Sequence, residues 1–152
     1  MPFEPNYGAN TFAGEALAKV LDPTGQAPAE IIKVTDAFVV RVTLTFEGSA
    51  APIMLNNHGF EWLVIAYVDN VGPPWHEEQQ IGANKEVFWD SYTPFPGPAP
   101  LTYTVDIDVP AGTLLPGIYK LGVVITSQVA GDGATGNIYG FTEGAVFQIA
   151  AG

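Results

Sequence analysis

The sequence predicts an all-β protein, a single-domain antiparallel β-sandwich of about seven to nine short strands. Its 152 residues include 17 glycines and 13 prolines, which separate short apolar segments as turns separate strands. Several segments alternate apolar and polar residues with a period of two, and no long segment has the apolar period of a helix. We expect residues 15–152 to form the domain and residues 1–14 to form an N-terminal arm.

Alternation identifies the individual strands. It is clearest in AFVVRVTLTFE, residues 37–47, and it recurs in residues 101–109 and 119–126. Residues 62–69, WLVIAYVD, are apolar on both faces. Further candidate strands are residues 15–21, 31–34, 86–89, 138–141 and 145–149. The first of these, EALAKVL, also fits a short helix by propensity.

The stretch GTLLPGIYKL predicts a corner that leads into a strand. Pro116 and Gly117 supply the turn, and Tyr119 stands at the start of the strand that follows. We expect its ring to lie in the core and its hydroxyl to donate a hydrogen bond to the backbone a few residues upstream. Either Leu114 or Leu115 then closes the end of the core.

Tyr119 at this corner, with Trp62 on the strand that follows a long loop, resembles a pattern found in the broad immunoglobulin and fibronectin type III-like class of β-sandwiches. The resemblance covers roughly residues 30 to 150 and implies Greek-key connections between two packed sheets. It implies no catalytic or binding residues, because folds of this kind support many unrelated functions.

Composition and charge restrict the classes of function. Five Lys and Arg against 16 Asp and Glu give a net charge of −11, so we expect neither nucleic acid nor a membrane as partner. Without cysteine there are no disulfides or thiolate sites, and none of the three serines lies in a G-x-S-x-G motif. We therefore expect no enzyme and no cofactor. The lack of a signal peptide predicts a cytoplasmic protein, or an extracellular one if a leader was removed.

The strand at residues 61–69 also predicts an apolar surface outside the core. Leu63, Ile65 and Tyr67 face away from the core if the alternate residues face into it, and Val124 on the strand at 118–126 does the same. Monomers usually cover such a surface, either with a later segment of the chain or with a second subunit. The leading hypothesis is a non-enzymatic interaction module that self-associates as a homo-oligomer through this face.

A second hypothesis concerns residues 70–100, which contain six prolines and several aromatic residues. Trp75, Trp89 and Tyr92 lie outside the clearest core strands, and aromatic rings on a stiff loop can stack on a sugar. This segment predicts a carbohydrate or small-ligand binding module.

A third hypothesis is a metal-dependent module around the two histidines of the chain. His58 and His76, with Glu77 or Glu78, supply the side-chain types of a site with two histidines and a carboxylate. The sequence does not show that they meet, and the alternative is two solvent-exposed loop histidines.

Overall fold

The computed structural model describes residues 3–4, 13–24, 27–47, 60–72, 78–88, 101–129 and 135–152. Within these ranges the chain forms nine β-strands and no helix, which confirms the all-β prediction. The strands are β1 (Phe3–Glu4), β2 (Ala13–Leu21), β3 (Ile31–Lys33), β4 (Phe38–Glu47), β5 (Phe60–Asn70), β6 (Gln79–Phe88), β7 (Leu101–Val109), β8 (Gly117–Val129) and β9 (Thr135–Ala150). No helix able to span a membrane occurs in the part of the chain that is described.

The strands form two sheets. The larger sheet has the order β1-β9-β8-β5-β6, and β3 adds to β9 as its one parallel pairing among the described strands. The smaller sheet has the order β2-β4-β7 and is antiparallel throughout. The pairing of Phe3 and Glu4 with β9 ties residues from the predicted N-terminal arm to the larger sheet. The division into arm and domain stays a prediction.

Both sheets turn apolar side chains toward one shared core. Burial alternates along β4, β5, β7 and β8 as period-two strands require, and the buried residues of the two sheets belong to a single cluster. The largest fully buried side chains come from both sheets: Ile32, Leu44, Phe46, Ile81, Ile107, Leu121, Ile125 and Phe147. The alternation predicted for residues 37–47 and 119–126 is therefore confirmed.

Two glycines allow the sheets to approach each other at their edges. Gly82 lies in the β-bulge of β6, with a φ of 70°, and a Cβ there would stand 2.9 Å from the backbone oxygen of Asp108 on β7. Gly144 lies in a bulge of β9, where a Cβ would stand 3.2 Å from the backbone oxygen of Ala18 on β2. At both positions, strands of different sheets come so close that a side chain would clash, and glycine avoids this clash.

The predicted corner at Tyr119 is present. The Tyr119 side chain is 2% exposed, and its hydroxyl donates a hydrogen bond of 2.7 Å to the backbone oxygen of Leu115. Its ring lies 6.0 Å from that of Phe147, which lies 5.9 Å from the ring of Phe38 on the opposite sheet. Leu114 is the leucine that is buried, while Leu115 is exposed.

The structure corrects two strand predictions. Residues 138–141 and 145–149 belong to one strand, β9, because the bulge at Gly144 lets the chain continue without a turn. The strand predicted at residues 86–89 begins earlier, at Gln79. The first part of β6 is largely polar and lacks clear alternation, so the sequence did not identify it as a strand. The segment at residues 15–21 is a strand, as favoured over a helix.

Candidate interaction surface

The outward residues of β5, β8 and β9 form rows across the larger sheet. The central row joins Ile65, Val124 and Phe141 through directly paired backbone positions. Neighbouring strands lie about 4.8 Å apart, so side chains within a row are in reach of one another. We define the outer patch as the six large apolar side chains on three successive rows: Leu63, Ile65, Tyr67, Val124, Tyr139 and Phe141.

The middle part of strand β9 turns two aromatic side chains to the outside. Tyr139 is 56% exposed and Phe141 is 43% exposed, whereas the small residues between and beside them, Gly140 and Thr142, are buried. A shift of one residue in pairing would exchange the two faces and bury both rings. The actual register instead exposes two aromatic rings beside the apolar residues of β5 and β8.

Below the central row, a glycine opens a groove in this surface. Tyr67 lies opposite Gly122, and Gly122 lies opposite Glu143. A Cβ at Gly122 would stand 3.5 Å from the Phe141 ring, so the missing side chain leaves a space beside that ring. The resulting Gly122 groove has a volume of about 390 Å³ and is lined by Tyr67, Asp69, Glu78, Lys120, Leu121, Gly122, Val124, Phe141 and Glu143.

Charges at the Gly122 groove are unbalanced. Lys120 forms an ion pair of 2.7 Å with Glu143, and both side chains are partly exposed. Asp69 lies directly opposite Lys120 in the pairing of β5 with β8, and Glu78 is the residue just before β6. Among the described residues, three carboxylates and one ammonium group line the groove, so the formal charges of these groups sum to −2.

The four predicted interface residues lie together on the outer face. Leu63, Ile65 and Tyr67 alternate along β5, and Val124 pairs directly with Ile65. All four are partly exposed, and β5 and β8 are neighbours in the sheet. Their role as an interface stays a prediction.

Sequence reasoning missed two members of the outer patch, Tyr139 and Phe141. The signal was available in YGFTEG, where large and small residues alternate. Only the burial of Gly140 shows which set faces outward.

The other predicted site residues mostly fall beyond the described ranges. The candidate ligand-binding residues Trp75, Trp89 and Tyr92 lie outside the described residues. So do the candidate metal ligands His58, His76 and Glu77. Glu78 is described, and it is exposed at the Gly122 groove. Within the described residues, no group of three or more His, Cys, Asp or Glu is placed to hold a metal ion.

The outer face of the smaller sheet has a different composition. Thr43 and Thr45 on β4 pair with Thr104 and Thr102 on β7. In the next row, Arg41 donates two hydrogen bonds to Asp106, of 2.8 and 3.0 Å. The hydrogen bond and the charge of that carboxylate outweigh the effect of burial and raise the pKa of Arg41.

No protein-family model matches the sequence, and no curated protein matches it either. Among solved structures, the chain is similar to a β-glucosidase from Listeria innocua, with a TM-score of 0.44, 11% identity, and coverage of 91% of this chain and 16% of that one. A β-glucosidase from Erythrobacter marinus has a TM-score of 0.43 and 13% identity, with coverage of 92% and 15%. AvmM, which catalyses macrocyclization in alchivemycin A biosynthesis, has a TM-score of 0.38 and 10% identity, with coverage of 90% and 89%.

The chain thus spans less than a fifth of the length of these glucosidases. Likenesses at this level show neither a shared fold nor a shared function.

Proposed function

We propose that this chain is a non-enzymatic interaction module, built as an immunoglobulin-like β-sandwich, that binds a second copy of itself through the outer patch. The observation that carries the proposal is the orientation of β9, which exposes Tyr139 and Phe141 while it buries Gly140 and Thr142. A strand that only had to cover the core would gain more by the opposite orientation.

The energetics of the outer patch favour a protein partner. Fully burying a side chain of the size of Ile65 or Phe141 contributes about 1.5–3 kcal/mol. An interface with two-fold symmetry uses each side chain twice, so the six residues of the outer patch supply twelve side chains to it. Such a contribution is large enough to compete with the cost of association, which is of order 4–15 kcal/mol.

Net charge predicts how the association depends on salt. Each copy carries a charge of −11, so two copies repel each other at low ionic strength. Salt shortens the screening length to about 8 Å at physiological ionic strength and weakens this repulsion, while it leaves apolar contacts in place. The proposed dimer therefore becomes tighter as salt is added.

The test is light scattering behind size-exclusion chromatography for the unaltered chain, Ile65→Arg and Leu17→Arg. Leu17 is the matched control, because it is 58% exposed on the outer face of the smaller sheet. We expect the unaltered chain and Leu17→Arg to be oligomeric and Ile65→Arg to be a folded monomer. A monomeric unaltered chain, or an oligomer that Ile65→Arg leaves intact, would reject the proposal.

A further inference from the structure

We propose that the Gly122 groove is a binding site for a small organic cation, a molecule with protonated amine or guanidinium groups on an apolar chain. The groove lies at one end of the outer patch and shares Tyr67, Val124 and Phe141 with it. The proposal depends on the shape and charge of the groove, and because these three side chains also belong to the outer patch, ligand binding and self-association compete for them.

The shape of the groove comes from Gly122. Its backbone lies between Tyr67 and Glu143 in the row, and a β-carbon there would be in ordinary van der Waals contact with the Phe141 ring. The open volume of about 390 Å³ corresponds to about thirteen water molecules at their volume in the liquid. It is also within the range of about 300–1,000 Å³ that is typical of small-molecule sites.

The apolar lining of the groove suits a cation with a hydrocarbon chain. Tyr67 and Phe141 contribute aromatic rings, and Val124 contributes aliphatic surface. The face of an aromatic ring attracts an ammonium or guanidinium group by about 0.5–2 kcal/mol. Methylene groups of the same ligand contribute about 0.8 kcal/mol each when they are buried.

The charges of the groove select a cation over an anion. Glu143 neutralises Lys120 at 2.7 Å, while Asp69 and Glu78 supply two further carboxylates. Among the described residues, no ion pair joins either of these two to a basic side chain. A neutral ligand would leave this excess charge uncompensated, and the net charge of −11 attracts cations from a distance.

The carboxylates are spread across the sheet. Asp69 belongs to β5 and Glu143 to β9, and β8 lies between these strands, so the strands themselves are about 10 Å apart. Because Glu143 is paired with Lys120, the ammonium or guanidinium end of the ligand meets Asp69 and Glu78 at the β5 side of the groove, and its methylene chain extends over Tyr67 and Phe141 toward β9.

The test uses isothermal titration calorimetry on Leu63→Arg, a substitution that opposes self-association but lies outside the lining of the groove, with 1,6-diaminohexane and agmatine as probes. The neutral control is 1,6-hexanediol, which has the same chain without charge. We expect both amines to bind one site per chain and the diol to show no binding. Equal binding of the diol, or no binding of either amine, would overturn the proposal.

Two variants of the groove locate the site. Gly122→Val fills the groove without a change in charge, and Asp69→Asn with Glu78→Gln removes charge without a change in shape. We expect each to weaken binding of the amines by about tenfold or more, since each removes one of the two kinds of interaction. Circular dichroism and the unfolding midpoint of each variant establish that it folds.

The control for long-range attraction is Glu30→Gln with Asp108→Asn, which removes two exposed carboxylates away from the groove. We expect it to change the Kd by about twofold at most, because screening weakens distant charges. An equal loss of affinity in this control and in the Asp69 and Glu78 variant would show a nonspecific counter-ion effect and overturn the proposal. Binding of hexalysine without binding of the free amines would also overturn it, in favour of a basic protein segment. Light scattering without a ligand tests self-association separately.

Discussion

The outer faces of the two sheets differ, although their inner faces are alike. Both sheets bury aliphatic and aromatic side chains in one core. Outside, the smaller sheet presents paired threonines, the Arg41–Asp106 ion pair and one large exposed apolar side chain, Leu17, while the larger sheet presents the outer patch and the Gly122 groove. Alternation identifies most of the inner faces, because inward positions are predominantly apolar. The outward positions are free to differ, and their composition therefore carries the information about function.

The two outer ion pairs make the same point on a smaller scale. Arg41 donates two hydrogen bonds to Asp106 on a mostly polar face, and such a face is stable in contact with water. Lys120 and Glu143 also form an ion pair, but theirs lies at the Gly122 groove, next to the aromatic rings of Tyr67 and Phe141. We infer that the first pair belongs to a solvated surface and the second to a recognition surface.

The largest expected effect tests the similarity of the inner faces. Leu44→Ala on β4 and Ile125→Ala on β8 each remove a fully buried side chain, one from each sheet. We expect each to lower the free energy of unfolding by about 3–4 kcal/mol, because each leaves a cavity in a shared core. Urea denaturation measures both. A loss below about 1 kcal/mol for either one would mean that the sheets do not contribute equally to one core.

A somewhat smaller effect tests the place where the sheets meet. Gly82→Ala would put a Cβ 2.9 Å from the Asp108 oxygen at a φ of 70°. Gly112→Ala is the matched control, because Gly112 has a φ of 78° and no neighbour within 4 Å of the new Cβ. We expect losses of about 2–3 kcal/mol for Gly82 and about 1 kcal/mol for Gly112. Equal losses in urea denaturation would show that the close approach of β6 and β7 contributes nothing.

How much of the fold was predictable follows from these same residues. The alternation in residues 37–47 and 119–126 identifies strands and inward faces directly, because the period of a strand is local. The extent of β9 was not predictable, since the bulge at Gly144 lets one strand pass what looks like a break. The polar start of β6 was hidden for a similar reason, because its pairing with β5 overrides its weak strand propensity.

The candidate site was predictable only in part. Leu63, Ile65, Tyr67 and Val124 follow from alternation along two strands. The Gly122 groove does not, because it depends on the register that sets Tyr67 opposite Gly122 and Gly122 opposite Glu143. Residues far apart in the chain produce it, and no local pattern specifies their alignment.

A third prediction concerns the corner at Tyr119, which packs against one end of the core. Tyr119→Phe removes the hydroxyl that donates to Leu115 and should cost about 1 kcal/mol of unfolding free energy. Burial disfavours the phenolate and raises the pKa of Tyr119 above its ordinary value. The folded state therefore keeps this proton to higher pH than the unfolded state does.

Its contribution to stability is full below the ordinary pKa of about 10 and is lost as pH rises from there through the folded pKa. Urea titrations at neutral and alkaline pH should show a smaller alkaline loss for Tyr119→Phe than for the unaltered chain. An equal loss of stability at alkaline pH in the unaltered chain and in Tyr119→Phe would contradict the assignment of this pH dependence to Tyr119.

The smallest expected effect lies on the polar face. Asp106→Asn removes the charge that faces Arg41, but both side chains are well exposed and water replaces the contact. We expect the urea midpoint to stay within the scatter of repeated measurements, and any change to disappear at high salt. A large loss of stability that persists in salt would mean that this face is more than a solvated surface.

The most direct test of the central claim compares the two outer faces in one sample. Paramagnetic relaxation of methyl protons by a soluble, neutral gadolinium chelate reports which side chains meet solvent in the associated protein. The methyl groups of Ile65 and Val124 should be protected relative to their exposure in a single chain, while those of Leu17 and Thr43 relax as that exposure requires. Dilution or Ile65→Arg should abolish the protection of Val124. Equal relaxation on the two faces, or protection of Leu17 and Thr43 instead, would contradict the account.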